Sequence, residues 1–406
     1  MSLLPLDDAF AKVAEGIKTL TAEQISVAEA LGRVLAEDVA ARLTQPPSAV
    51  SSMDGYAVRS ADVQTQPVIV ERVGESQAGG PFEGTVSPGQ CVRIFTGAPM
   101  PAGADAVIMQ EDTDVAGNQV TLKEVAYEGK FVRRAGLDFS EGDILLKKGQ
   151  LLSARDIGLL CAMNVPWVKV YRKPRVAILA TGDELVMPGE AVRESQIVSS
   201  NSLMVAAMVT AMGGIPINLG IAGDTEESLR ETLRGLEGAD LLITSGGVSV
   251  GEYDLVRNVL GEEGLDIDFW RIAMKPGKPF MFGHIAGKPA MGLPGNPVSS
   301  YVTAFLFLRP ALRKMQGGTF EQDKPVRVIL GADVPKNTIR QEYMRAVFSR
   351  DNDGRLVATP YDKQDSSMLA NLAHCEGFII RPVQAPELKA GEETDAIFVT
   401  DSSLSV

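Results

Sequence analysis

The chain has 406 residues, 45% of them apolar, and a formal net charge of −13. That length exceeds what one domain usually holds and predicts three or four units, while the acidic balance argues against broad nucleic-acid binding, which needs a basic face. Only two histidines and three widely spaced cysteines are present, so zinc sites, Ser-His-Asp chemistry and CxxC motifs are poorly supplied, and a reducing cytoplasm fits best.

At the N-terminus no basic region precedes an apolar core, and no uncharged apolar run reaches about 18 residues, so neither a signal peptide nor a membrane span is expected. Residues 6–40 read as helices. Leu6, Ala9, Val13 and Ile17 share one face, and Thr21 with Gln24 resembles a capping box before a second helix. Residues 45–145 are rich in Gly, Pro and β-prone runs (PVIVERV, CVRIFTG, DAVIMQE, QVTLKEV), which predicts a β-domain of about five strands or more. A helix over 153–163 and a strand over 165–171 then return to the N-terminal segment.

Residues 174–316 change to a βαβ rhythm, which predicts a parallel sheet. Five apolar runs stop at the turns TGDEL (181–185), AGD (222–224), SGGVS (245–249), MKPGKP (274–279) and LPGNP (293–297). RVAILA, INLGIA, LLITS and FWRIAM are read as successive strands, and FMFGHI with PAMGL as a hairpin-like pair. Asn201 is expected to cap a helix running to Met212, and Asp224 with Glu227 to cap the next. Asn296 and Pro297 open a long apolar helix to about Met315, ended by Gly317 and Gly318. Loops after the carboxyl ends of parallel strands converge on one crevice. Glu184, Asp224, Asp254, Lys275 and Lys278 are therefore expected along one edge, where carboxylates beside lysines suit a metal-bound phosphate or oxyanion. Residues 325–406 alternate again (VRVIL, RLVATP, GFIIRP, AIFVT) and read as a small all-β domain.

The predicted division is an N-terminal helical linking domain of residues 1–44 with 146–173, a β-rich domain of 45–145, an α/β domain of 174–324, and a C-terminal β-domain of 325–406. The fold class is thus multidomain α/β plus β. Its centre is a three-layer α/β domain with a mostly parallel sheet, flanked by the β-rich domain, the linking domain and a small C-terminal β-barrel.

SSMDGYAV (51–58), FTGAPMPAGADAVIMQE (95–111), TGDEL, SGGVSVGEYD (245–254), MKPGKP and LPGNPVS (293–299) stand in one order. Together they resemble the molybdopterin molybdenumtransferases, the MoeA family that includes the gephyrin E domain and the plant Cnx proteins. The resemblance runs from about residue 5 to residue 400. It implies an elongated homodimer of four-domain subunits with a cleft bordered by the partner. The implied reaction inserts molybdenum from molybdate into adenylated molybdopterin, with hydrolysis of the adenylate and release of AMP, and magnesium is the expected metal. A molybdopterin adenylyltransferase and a non-catalytic molybdopterin-binding scaffold are the alternatives. Possible partners are the adenylyltransferase and cofactor-delivery proteins, with no nucleic acid and no membrane.

Each candidate carries a plainer reading beside the functional one. Asp54 is a turn aspartate bonding its own backbone, or by resemblance a functional acid. Asp138 is a solvated loop charge near Arg133 and Arg134, or the acid of a family pattern whose preceding residue is Leu137 here, where the family usually has Glu. Asp183 and Glu184 accept turn bonds, or hold a hard cation, and by resemblance Glu184 is the important one. Asp224 and Asp254 are helix caps, or crevice acids with Glu184 as metal ligands. Ser245, Gly246 and Gly247 form a tight turn, or present N–H groups to phosphate. Lys275 and Lys278 are solvated, or hold an oxyanion on a rigid Pro-Gly turn. Pro294 and Pro297 shape the backbone and Asn296 is a possible donor. Ser366 and Ser367 lie in a loop that by resemblance borders the pterin cleft, and Thr96 joins them as a substrate-binding candidate. Arg345 neutralises an anion or pairs with Glu342. His284, at a strand end, and His374, in a loop, are weak candidates.

Overall fold

A computed structural model describes residues 3–223, 225–246, 261–262 and 264–399. The helix Leu6–Gly16 buries Leu6, Ala9, Phe10 and Val13 on one face and carries Asp7 and Asp8 in its first turn, where the helix dipole favours negative charge. Its apolar face enters the core of the α/β unit, with Phe10 stacked on Phe307 at 4.4 Å between centroids.

The expected second helix is absent. Ala22–Ser26 is a strand, antiparallel to Trp167–Tyr171, and Ser26 caps a short 3₁₀ turn through the N–H of Ala28. Trp167–Tyr171 buries Val168 and Val170 in strict alternation and needs an edge partner. That pairing overrides a local helical preference in AEQIS, which is a weak prior. The expected helix over 153–163 is found as Ala154–Ala162, with a reciprocal Ser153–Asp156 capping box.

In the β-rich region six strands form one sheet, in the order Ala106–Met109, Gly55–Val58, Gln90–Ile94, Val68–Ser76, Gln119–Leu122 and Thr113–Ala116. All neighbours are antiparallel except Val68–Ser76 against Gln90–Ile94.

The α/β sheet has the order Ile215–Ala222, Arg175–Thr181, Leu241–Ser245, Lys288–Leu293, Met281–Ile285, Leu265–Trp270. The first four strands are parallel and the last two antiparallel. The fourth expected strand, FWRIAM, is shifted. Leu265–Trp270 pairs in this sheet, while Met274–Lys275 leaves it to pair with Gln341–Glu342. Two caps also differ. Asn201 is the first residue of the helix Asn201–Ala211, and its Nδ2 donates to the carbonyl of Gly295 at 2.7 Å instead of capping. Thr225, not Asp224, caps the helix Glu226–Leu233, accepting from the N–H of Ser228 at 3.2 Å. Asp224 itself lies outside the described residues.

Asn296 precedes the helix opened by Pro297 as expected, although its side chain reaches elsewhere. The helix runs as Pro297–Thr303, a π segment Ala304–Leu308, and Arg309–Met315. Pro310 has no N–H for the carbonyl four residues back, and the helical ladder widens just before it.

In the last part, Val326–Leu330, Gln341–Arg350, Leu356–Pro360, Gly377–Arg381 and Glu393–Phe398 close into a five-strand barrel. Its longest strand, Gln341–Arg350, was not among the four expected runs. Charged residues interrupt QEYMRAVFSR and hide its strand pattern: Glu342 pairs with Lys275, and Arg345 donates to the carbonyls of a neighbouring loop. No described helix is long and apolar enough to cross a membrane.

Candidate active site

The strand order reverses between Arg175–Thr181 and Leu241–Ser245, where the second strand lies to one side and the third to the other. Ligands bind beyond the carboxyl ends of strands at such a switch point. A cavity of about 620 Å³ opens there, with Thr181 and Ser245, the last residues of those two strands, in its wall. Its size falls in the range of small-molecule sites, roughly 300–1,000 Å³. Gly246 follows with φ +90°, and a Cβ there would stand 2.8 Å from the carbonyl oxygen of Thr181. Only glycine lets the two strand ends approach so closely. The remaining walls are Glu184 and Leu185, Ile197 to Asn201, Pro279, the Pro294–Pro297 turn with Ser299, and Ser367 from the barrel.

Of the expected residues, the cavity gathers Glu184, Ser245, Gly246, Pro294, Asn296, Pro297 and Ser367. Glu184 is the one ionisable side chain among the described lining residues, and most of the others offer hydroxyls, amides or apolar surface. Thr181 Oγ1 and Asn201 Oδ1 are buried with no hydrogen-bond partner among the described residues, as in a site that awaits a polar ligand. Asp224, Gly247 and Asp254 lie outside the described residues.

Lys275 and Lys278 do not line the cavity. The Lys275 ammonium is 2.6 Å from Glu342 Oε1, because the strand Met274–Lys275 has joined the barrel. Lys278 is exposed. Asp54 and Asp138 belong to the β-rich region and are not in the cavity wall either. Asp54 Oδ1 accepts from the backbone N–H of Thr96 at 2.7 Å and from its hydroxyl at 2.8 Å. These two bonds, with Arg93 nearby, hold its carboxyl below the usual carboxylate range. The bond thus goes to a distant segment rather than to the local Asp-Gly turn. Asp138 is an exposed loop residue.

The serine loop is fixed from beneath. Asn296 Nδ2 donates to Ser366 Oγ at 2.9 Å, and the Val298 N–H donates to the Ser366 carbonyl at 3.1 Å. Ser367 donates to Asp365 Oδ1 through both its N–H and its hydroxyl, which lowers the pKa of that carboxyl. Arg345 neither faces the cavity nor pairs with Glu342. It is 1% exposed and donates to the carbonyls of Met368, Asp365 and Lys363. A guanidinium presents five donors in a fixed fork, which suits a cluster of inward-turned carbonyls. His284 stands in the strand Met281–Ile285, near Asp268 and the carbonyl of Gly16, and His374 ends the helix Leu369–Ala373.

Sequence reasoning missed Ser199, Ser200 and Ser299 as cavity residues and the bracing role of Arg345. The polar run SSNS (199–202), which leads into an otherwise mostly apolar helix, was the available signal for the first two.

Among the described residues no group of three or more His, Cys, Asp or Glu side chains could hold a metal alone. Magnesium commonly keeps several waters and takes one or two carboxylates plus substrate phosphates. Glu184 at the cavity, with Asp183 beside it in sequence, fits that pattern of sparse protein ligands.

Residues 4–164 match the MoeA N-terminal region (domain I and II), residues 177–314 the probable molybdopterin binding domain, and residues 327–399 the MoeA C-terminal region (domain IV). The chain is 35% identical over 394 residues to a molybdopterin molybdenumtransferase of Haemophilus influenzae, covering 96% of this chain and 97% of that one. It is 43% identical to one from Nostoc over 75% of this chain and 72% of that one. A solved molybdopterin biosynthesis MoeA protein from Pyrococcus horikoshii superposes with a TM-score of 0.84 at 30% identity, over 98% of this chain and 99% of that one. With its switch-point cavity, its closed C-terminal barrel, three family regions matched in order and a Haemophilus relative matched along nearly its whole length, the chain belongs to the MoeA family of molybdopterin molybdenumtransferases.

Proposed function

We propose that this chain is a transferase of molybdenum cofactor biosynthesis. It inserts molybdenum from molybdate into adenylated molybdopterin, with hydrolysis of the adenylate and release of AMP. The observation that carries this reading is the end-to-end match to relatives named molybdopterin molybdenumtransferase. The cavity at the switch point supports it, since its size and polar lining suit a pterin with a phosphate attached.

Both substrates are anions, so carboxylates alone would repel them. A magnesium ion held by Glu184, Asp224 and Asp254 would reverse the local sign and polarise the phosphoanhydride. Ser245 and the backbone of Gly246 and Gly247 bind phosphate oxygens. Ser366, Ser367 and Asn296 orient the pterin side, and Pro294 and Pro297 set the wall against which it lies. Lys275 and Lys278 reach for the oxyanion from the Pro-Gly turn. Asp54, Thr96 and Asp138 act from the β-rich domain across a cleft shared between two subunits of a homodimer. The setting is the cytoplasm, with the adenylyltransferase and cofactor-delivery proteins as partners.

The adenylyltransferase reading accounts less well for the barrel, which places Ser367 in the cavity wall. The test is AMP release from adenylated molybdopterin in magnesium, with and without molybdate. Molybdate-dependent release with formation of active cofactor is expected. Binding without release would return the chain to a scaffold, and ATP consumption with molybdopterin would make it an adenylyltransferase.

A further inference from the structure

The barrel touches the chemistry through more than its serine loop. In the parallel register of the short strand Met274–Lys275 against Gln341–Arg350, Lys275 lies opposite Glu342. The Gln341 N–H donates to the Ala273 carbonyl at 2.9 Å and fixes that register. The two side chains are unequal. That of Glu342 is 13% exposed and that of Lys275 is 45% exposed, with Nζ and Oε1 at 2.6 Å. A nearly buried carboxylate therefore holds a lysine whose side chain stays almost half exposed.

The turn that follows sits against the cavity's own helix. Gly277 has φ +110°, and a Cβ there would lie 2.6 Å from Thr303 Oγ1 and 3.9 Å from the carbonyl of Ser299. Ser299 and Pro279 both line the cavity. An ammonium has three donors. Glu342 is the ammonium's partner among the described residues, and an oxyanion would take its other donors. Lysine is otherwise a flexible four-carbon stem, and fixing it in advance lowers the ordering cost of binding.

We propose that Glu342 is a positioning residue that sets the Lys275 ammonium for oxyanion capture. The inference rests on the role given to Lys275 above. Glutamine at 342 keeps an acceptor oxygen for the ammonium, whereas alanine removes it.

The test uses the full chain and molybdate-dependent AMP release, with thermal unfolding as a control for folding. Glu342→Ala is expected to raise KM for molybdate about tenfold with a smaller change in kcat. Glu342→Gln is expected to recover most of that loss. In a Lys275→Ala background, Glu342→Ala should add nothing, because the group it positions is gone. Native KM in Glu342→Ala beside a damaged Lys275→Ala overturns the inference alone, as does a double variant in which the two losses multiply. Native turnover in Lys275→Ala removes the reading of Lys275 itself, and the inference with it.

Discussion

Replacing Arg345 by lysine separates the role of a charge from the role of a shape. The guanidinium donates to the carbonyls of Met368 at 3.0 Å, Asp365 at 2.9 Å and Lys363 at 3.3 Å. Burial lowers its pKa from the usual arginine value, opposed by Cys375 and Asp365. A lysine keeps the charge but places one ammonium on a flexible stem, which cannot span three carbonyls. Losing two of these bonds, at about 1–1.5 kcal/mol each, costs about 2–3 kcal/mol in local stability. Opening of the loop should then rise by roughly one to two orders of magnitude, read as faster amide hydrogen exchange in peptides covering 361–370. Turnover should fall through a raised KM for the pterin substrate, since Ser366 and Ser367 lose their support. Native exchange and native KM in Arg345→Lys would refute the bracing role and leave positive charge alone as the reason for arginine here.

Three further outcomes follow from packing and charge. A Cβ at Gly182, where φ is +137°, would stand 2.5 Å from Glu184 Oε2. Gly182→Ala should therefore displace that carboxylate and cut AMP release at least about tenfold, with a raised magnesium requirement; an unchanged magnesium titration would remove Glu184 from the metal site. Phe10→Ala should cost about 3–5 kcal/mol in urea unfolding, because the ring stacks on Phe307 in the α/β core; a loss under about 1 kcal/mol would place the helix outside that core. Asp240 is half-buried, which works to raise its pKa, yet hydrogen bonds from Arg172 and from the Arg175 N–H, with Lys288 nearby, hold it below the usual carboxylate range. A depressed folded pKa gives stability that is present above about pH 4 and lost as pH falls through the folded value. Thermal unfolding of Asp240→Asn should thus depend less on pH below about 4 than the parent does, and equal slopes would refute it.

The switch-point crevice was legible because parallel strands announce themselves twice, as apolar runs and as the polar turns that end them. Thr181, Ser245 and the Pro294–Pro297 turn lie where that pattern put them. Three of the errors share one cause. AEQIS became a strand because Trp167–Tyr171 needed an edge partner, Met274–Lys275 left the sheet because Gln341–Glu342 offered a second ladder, and Asn201 gave up its cap to hold Gly295. In each case a partner more than sixty residues away outweighed a local preference, and no window of sequence contains such a partner.

The same point governs the chemistry. Lysines on a Pro-Gly turn invite an oxyanion reading when the turn is viewed alone, but the fold gives Lys275 a carboxylate before any ligand arrives. A residue's charge is visible in sequence, while its net charge in place is a property of pairs. The cavity makes the reverse case. Its described walls carry one carboxylate, Glu184, among serines, threonine and asparagine whose importance no charge pattern could signal. If the proposed reaction is correct, those neutral donors must hold the pterin while the ionic groups, Lys275 included, act at its rim. Neutral substitutions such as Thr181→Val or Asn201→Leu should then weaken pterin binding while leaving molybdate affinity within about twofold, because a lost uncharged hydrogen bond acts only on the group it touches. A matching loss of molybdate affinity in both variants would mean that the two substrates share one subsite, and the division between a neutral wall and a charged rim would fail.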